Sequence, residues 1–253
     1  MDPGRYPPDP HYGTGAFLRR IRSCRHGDRI ESTLNDNHHS MACRMTLDGD
    51  IIVGVEGQMA RVPLTTCAGA PARLQEFVGS SVHKSAAEWN AGGRALHHCT
   101  HLFDMALIAI EFAASGAPGQ RIDIVIPDAP DGLLTVIGYV DDVPRVQFTV
   151  DQDIIIAPEQ WAGRHVKKGF VSWARTEFSG LDRTVALMMQ KALMVAEGWP
   201  YIIDGTPGRA VVDDLAMAGL CYSYGEPIVR DAREQPHVAD FSAGVIETDF
   251  RWP

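Results

Sequence analysis

Histidines at helical spacing are the clearest candidates for chemistry in this sequence. One cluster reads His97-His98-x-x-His101, and Asp104 follows three residues later. If a helix reaches back to His97, then His97, His101 and Asp104 fall within about 60° of one another on one face. Such a set could bind a metal, or it could form an acid/base pair in which Asp104 orients His101. A third interpretation has the first two histidines solvated and His101 buried as a structural residue.

A second histidine pair, His38-His39, lies in a segment with the pattern of a strand. Neighbouring side chains of a strand point to opposite faces, so only one of the pair is expected to face the interior. Alternation places His39 on the face of Met41 and Cys43. This makes His39 a second candidate for proton transfer, unless it is simply a histidine at a strand end.

Cys67 is a candidate nucleophile. Pro71 suits the first turn of a helix, which would place Cys67 just before a helix N-terminus, where a thiolate is stabilised and its pKa is lowered. His101 or His39 would then act as its base. Cysteine is also among the commonest buried residues, so a structural thiol is the alternative.

Cations and aromatic residues provide candidates for substrate binding. Arg20, Arg44 and Arg61 could each pair with a carboxylate or a phenolate. The run Arg19 to Arg25 holding Arg20 is expected to be either a solvated strand edge or an anion clamp. Trp173 belongs to an aromatic group that would fill a core, form a homodimer interface or line a site for a planar apolar ligand.

Composition narrows the class of protein. The 253 residues carry a formal charge of −9, which argues against a nucleic-acid partner. No run approaches the roughly 18 apolar residues of a membrane span, and Met1-Asp2-Pro3-Gly4-Arg5 does not begin a signal peptide. Five widely spaced cysteines suggest reduced thiols, so we expect a cytoplasmic protein. Motifs for nucleotide cofactors are absent, and no cofactor is expected.

The elements that must position these residues predict an α+β fold. Residues 1–15, rich in Pro and Gly, are expected to form an extended arm, and residues 16–253 a single domain. A hairpin with its turn at 48–50 is expected first, and a strand meander over 122–156 later. About three helices should cover the antiparallel sheet: a short one after Pro71, one from Cys99 to Ser115 and one from Asp182 to Glu197.

Several segments together carry a resemblance to a known family. They are Gly13-Thr14-Gly15 with Arg19-Arg20-Ile21-Arg22, Arg61-x-Pro63-x-x-x-Cys67-x-Gly69-Ala70, Cys99-Thr100-His101-Leu102, and a lone Cys221. Over most of its length the chain resembles a proteobacterial family catalogued as a domain of unknown function. Its relatives occur in bacteria that degrade aromatic compounds, including lignin-derived ones. The resemblance implies a role in aromatic catabolism but assigns no catalytic residue.

These observations lead to three hypotheses. The first is a lyase that performs acid/base elimination or carbon–carbon cleavage, such as loss of a small aldehyde, on an apolar aromatic molecule. His101 with Asp104 would be the acid/base pair and His39 the second proton carrier. The second is a metal-dependent hydrolase or oxygenase using His97, His101 and Asp104. The third is a ligand-binding protein without catalysis.

Overall fold

The computed structural model describes residues 6–214, 216–245 and 247–252. Its centre is one eight-stranded antiparallel sheet with the order β4-β3-β2-β1-β5-β6-β7-β8. The strands are β1 (Ala16–His26), β2 (Arg29–Asp36), β3 (Ser40–Asp48), β4 (Ile51–Arg61), β5 (Gly119–Pro127), β6 (Leu134–Val140), β7 (Val143–Asp151) and β8 (Ile154–Ala157). The α-helices are α1 (Ala86–Asn90), α2 (Thr100–Ser115), α3 (Phe170–Glu177) and α4 (Gly180–Ala196).

The sheet consists of two four-stranded meanders joined side by side. Each meander is built from successive hairpins, and the two meet where β1 pairs with β5, with Ile21 opposite Ile122. The basic run therefore lies on a central strand and not on a strand edge as one interpretation expected. Alternation along β1 buries Phe17, Arg19 and Ile21 on one face of the sheet.

Two long helices cover the face on which β1 is buried. Helix α2 packs against β1, β2 and β3, whereas α4 packs against β5, β6 and β7. The predicted α+β class, hairpin, meander and two long helices are confirmed. The expected short helix is instead a 3₁₀ helix over Thr65–Phe77, with Pro71 inside it, and α1 and α3 are additional.

A glycine on β6 sets how closely α4 approaches the sheet. A Cβ built on Gly138 would overlap Val185 and would lie 2.9 Å from the sulfur of Met189. Both residues are fully buried on α4. The missing side chain at this position therefore allows helix and strand to pack in direct contact.

Residues 6–15 lie against the chain that follows α4. The amide of Asp9 donates to the carbonyl of Pro200, and the amide of Ile202 donates to the carbonyl of Pro7. Residues 1–5 of the expected arm lie outside the described residues. The expectation that they do not begin a signal peptide concerns the same residues and stays a prediction. Within the part of the chain that is described, no helix combines the length and hydropathy needed to cross a membrane.

Candidate functional site

The turn between β2 and β3 places both histidines of the first pair in the interior. His38 and His39 lie after β2 ends at Asp36 and before β3 begins, so strand alternation does not apply to them. The expectation that only one faces inward is wrong, since they are only 2% and 8% exposed. The Asp36 carboxylate orders the turn: its Oδ1 accepts the amide N–H of His38 at 2.8 Å and that of His39 at 2.7 Å.

Arg61, at the end of β4, stabilises this turn by donating hydrogen bonds to backbone carbonyls. Its Nη1 donates to the carbonyls of Asn37 and His237, both at 2.9 Å. Its Nη2 donates to the carbonyls of Asp36, at 2.7 Å, and His39, at 3.1 Å. Arg61 is thus a positioning residue for the turn, and its guanidinium is committed to protein carbonyls.

A buried ion pair lies beside the turn. Arg19 of β1 stands directly opposite Asp36 in the strand register. Its Nε and Nη2 donate to Asp36 Oδ2 at 2.9 and 2.6 Å, and neither side chain is more than 1% exposed. The remaining nitrogen, Nη1, is buried and has no hydrogen-bond partner among the described residues.

The ion pair connects the two histidine clusters. Asp36 Oδ1 lies 3.1 Å from His39 Nδ1, and Arg19 Nη2 lies 3.2 Å from His101 Nε2 in the first turn of α2. The rings of His39 and His101 are in contact, with centroids 4.3 Å apart and planes tilted by 30°. Residues from β1, the turn and α2 thus form one cluster, the His39–His101 cluster, defined as Arg19, Asp36, His39 and His101.

Burial and the neighbouring charges together set the protonation states of His101 and Asp36. Burial, the neighbouring His39 and the Arg19 cation all lower the pKa of His101 well below its ordinary value. Burial alone would raise the pKa of Asp36, but Arg19 and His39 outweigh it and hold that pKa well below its ordinary value. At neutral pH the cluster therefore contains an ionised carboxylate, a guanidinium and a neutral His101.

The carboxylate predicted to orient His101 has a different partner. Asp104 Oδ2 lies 3.5 Å from Lys191 Nζ of α4, and burial raises the pKa of Asp104. His97 is exposed at the end of a 3₁₀ helix, because α2 begins only at Thr100. The predicted face of His97, His101 and Asp104 therefore does not form. The metal-ligand geometry found among the described residues belongs to Asp36, His39 and His101, whose donor atoms lie within 4.8 Å of one another.

Cys67 lies elsewhere and has the opposite of the expected electrostatics. It sits inside the 3₁₀ helix and not before a helix start. Burial raises the pKa of its thiol to about 11, and the hydroxyl of Ser223 donates to its sulfur at 3.3 Å. The thiol form is thus favoured at neutral pH, and the structure does not bring Cys67 into the His39–His101 cluster.

The other predicted substrate-binding residues also lie outside the cluster. Arg20 pairs with Asp123 at 2.6 Å, and Arg44 pairs with Glu56 at 2.5 Å. By strand alternation both arginines point to the opposite face of the sheet. Trp173, on α3, packs in aromatic contacts with Trp161, Phe170 and Phe178.

Two members of the cluster were not singled out from the sequence. Arg19 belonged only to the basic run, yet Phe17 and Ile21 on either side place it on the buried face, and a buried arginine requires a buried partner. Asp36 precedes Asn37 at a turn, the position at which a carboxylate accepts amide N–H groups. Period-two alternation and turn chemistry were therefore the available signals.

In the comparison with known proteins, part of the chain matches a family to which no activity is assigned. Residues 16–114, less than half of the chain, match the sequence model of the family described as "Protein of unknown function (DUF2889)". The predicted resemblance to a family of unknown function is confirmed. The matched segment contains all four residues of the His39–His101 cluster. No curated protein matches the chain.

Proposed function

Since the family that matches residues 16–114 has no assigned function, we propose from the side-chain geometry that this protein is an acid/base lyase acting on an aromatic small molecule. The observation that carries the proposal is the contact of the His39 and His101 rings beside a buried Arg19–Asp36 pair. Two imidazoles with different partners can divide the roles of proton acceptor and hydrogen-bond donor.

His39 is the proposed general base. Its Nδ1 faces the Asp36 carboxylate and therefore carries a proton, so Nε2 is the atom through which the neutral ring would accept a substrate proton. When Nε2 takes a proton, the carboxylate stabilises the imidazolium that forms. This is the role of the aspartate in a histidine–aspartate pair.

His101 and Arg19 are the proposed stabilisers of developing negative charge. The Arg19 N–H points at His101 Nε2, so this nitrogen accepts and Nδ1 carries the proton. A neutral His101 can donate from Nδ1 without adding a second cation beside Arg19. Arg19 Nη1, which has no hydrogen-bond partner in the described part of the chain, is a preorganised donor for an oxygen that gains charge.

These groups are sufficient for a redox-neutral cleavage. His39 removes the proton of a substrate hydroxyl, and the O–H electrons become the C=O bond of a released aldehyde. The electrons of the broken carbon–carbon bond form a C=C bond, and a benzylic oxygen leaves with the electrons of its C–O bond. That oxygen is stabilised by His101 and Arg19 and then takes the proton held by His39.

The aromatic substrate class is supported by the surroundings of the cluster and by the family resemblance. The Phe17 ring centroid lies 5.9 Å from the guanidinium carbon of Arg19, and Phe17 is itself in contact with the ring of His38. A lignin-derived phenol with a benzylic ether would combine an apolar ring with the leaving oxygen that the step requires. The described cysteines are all free thiols, which supports the proposed cytoplasmic location.

Aldehyde release tests the proposal. The assay uses phenolic lignin-type dimers that carry a benzylic ether next to a hydroxymethyl group. His39→Gln and His101→Gln should each lower kcat by about 10²- to 10⁴-fold while the fold is kept. Asp104→Asn, the matched control from the same helix, should stay within about five-fold of the parent because Asp104 pairs with Lys191. Full turnover by either histidine variant would refute the assignment.

A metal centre is the second candidate, because Asp36, His39 and His101 form a two-histidine, one-carboxylate set. The Arg19 cation, bonded to Asp36 and to His101, would repel a divalent ion placed among these donors. We therefore expect activity to survive exhaustive dialysis against a chelator. Loss of activity, with recovery on adding Zn²⁺ or Fe²⁺, would favour the metal centre over the acid/base lyase.

A further inference from the structure

A cavity of about 370 Å³ opens between the second half of α4 and the adjoining ends of β6 and β7. Sites for small molecules are clefts of about 300–1,000 Å³ with mostly apolar walls and a few placed polar groups. Five apolar side chains line this one: Leu134, Val150, Val166, Leu193 and Met194. The cavity therefore has the size and the walls to hold the apolar body of a small ligand.

Gln190 of α4 presents a hydrogen-bond acceptor to this cavity. The residue lines the cavity and is only 5% exposed, and its Nε2 donates to the carbonyl of Val166 at 2.8 Å. Because a carbonyl can only accept, this bond fixes the amide orientation and leaves Oε1 as the remaining polar atom. Oε1 has no hydrogen-bond partner among the described residues, yet it is not sealed from solvent. Since buried polar groups in native proteins are nearly always paired, this oxygen indicates that a donor enters the cavity.

Four acidic residues line the same cavity: Asp131, Asp151, Asp153 and Glu197. Lys167 lies among them, but its ammonium is bound by Asp153 at 3.0 Å and by Glu197 at 2.7 Å. Asp151, exposed at the end of β7, has no hydrogen bond or ion pair to its carboxylate within the described part of the chain. The cavity therefore carries an excess of negative charge, and Asp151 is available to pair with a cation.

The polar groups that remain available decide the class of ligand. Gln190 Oε1 and the Asp151 carboxylate are both acceptors, whereas the Lys167 ammonium is already bound by two carboxylates. A primary ammonium brings three N–H donors and a positive charge, which match these acceptors. An anionic ligand would meet carboxylates of its own charge. The apolar walls favour a cation with a hydrocarbon body over a small hydrated ion.

We propose that this cavity binds an apolar organic ammonium. One N–H of the ligand donates to Gln190 Oε1, the Asp151 carboxylate supplies the counter-charge, and the hydrocarbon packs against the apolar walls. The site goes beyond the proposed lyase and does not depend on it, because none of the four residues of the His39–His101 cluster lines the cavity. Its test needs no turnover.

Calorimetry with matched probes on the full chain tests the assignment. The parent should bind hexylammonium at least about ten-fold more tightly than 1-hexanol, which has the same chain without the charge, and hexanoate most weakly. Asp151→Asn should reduce the preference for hexylammonium to below about three-fold. Asp48→Asn is the matched control and should keep the preference, because Asp48 ends β3 just before a two-residue turn, as Asp151 ends β7.

Three results of this titration would overturn the proposal. The first is no binding of hexylammonium at millimolar concentrations. The second is equal affinity of the parent for hexylammonium and 1-hexanol, which would mean that the carboxylates do not recognise the charge. The third is an equal effect of Asp151→Asn and Asp48→Asn, which would mean a general attraction to an acidic protein and not a site.

A second measurement locates the ligand in the intact protein. With ¹³C-labelled methionine methyl groups, hexylammonium should shift the resonance of Met194, which lines the cavity, and not that of Met59 on β4. Gln190→Met removes the acceptor and should weaken hexylammonium binding at least about five-fold, whereas Gln147→Met at an exposed position of β7 should not. An unshifted Met194 at saturating hexylammonium, or an unchanged affinity in Gln190→Met, would also overturn the assignment.

Discussion

Arg19 and Asp36 face each other across two adjacent strands and form an ion pair in which neither side chain is more than 1% exposed. Removing two charges from water offsets most of what their attraction contributes, so such a pair adds little net stability. Its effect here is positional. The same carboxylate orders the turn and contacts His39, while the same guanidinium contacts His101.

Removing one partner of this ion pair should lower the stability of the folded protein. We expect Arg19→Met to lower the free energy of unfolding by about 3–5 kcal/mol, because it leaves the Asp36 carboxylate buried and uncompensated. Adding Asp36→Asn should recover a substantial part of the loss, since an amide keeps an acceptor for the turn without the charge. Urea unfolding measures both. Arg230→Met, in an exposed pair with Glu226, is the control and should cost less than about 1 kcal/mol. An Arg19→Met protein as stable as the parent would contradict the burial of this pair.

The buried neutral histidines predict destabilisation in acid. His38 has a pKa of about 3 in the folded protein and an ordinary value of 6.5 when unfolded, so the unfolded chain binds more protons between these values. Stability should therefore rise with pH from about 3 to 6.5, by up to about 1.4 kcal/mol per pH unit for each such histidine. His38→Phe should reduce that slope by one proton, measured as the free energy of unfolding between pH 4.5 and 6.5. An identical slope in the variant would show that His38 does not stay neutral.

Arg61 should keep the turn between β2 and β3 ordered, and it should affect catalysis only through that order. Lysine keeps the charge but lacks the planar fork that serves four carbonyls at once. In Arg61→Lys, amide hydrogen exchange at His38 and His39 should quicken at least about ten-fold, which corresponds to about 1.4 kcal/mol of local stability. kcat in the aldehyde assay should fall with it while KM changes little. Unchanged protection of both amides would remove Arg61 from this role.

The contact between β6 and α4 should not tolerate a methyl group. Gly138→Ala forces Val185 and Met189 of α4 to move, and overpacking of this kind costs about 1–3 kcal/mol. Gly54→Ala is the matched control on β4, because a Cβ there would meet Thr46 only at the ordinary distance of 3.7 Å. Thermal unfolding of the two variants gives the comparison, and equal melting temperatures would contradict the packing described.

Local pattern was enough to predict most of the elements but not their arrangement. The hairpin around residues 48–50 and the meander of β5–β8 follow from alternation and turn residues, and α2 and α4 follow from helical spacing. The central position of β1 depends on its pairing with β5, about a hundred residues along the chain, for which no local pattern exists. Local pattern alone therefore allows the basic run to be a strand edge or an anion clamp, and does not predict that it lies on a central strand.

The candidate site was predicted only in part for a similar reason. His39 and His101 were singled out by residue type, and the structure brings their rings together. Their partners were not predictable from spacing, because Asp36 acts through the turn it orders and Arg19 acts across a strand pair. Asp104 was favoured for its helical spacing from His101, yet the neighbouring helix supplies Lys191 as its partner.

The pairing of β1 with β5 also has a consequence for how the chain folds. β1 to β4 are joined by short turns, so the first meander can assemble from local contacts as the chain emerges. Until β5 is synthesised and docks, β1 presents a long row of unpaired backbone groups, which is a template for pairing with another chain. Docking of β5 converts this exposed edge into an interior strand, and aggregation during folding should compete most strongly just before that step.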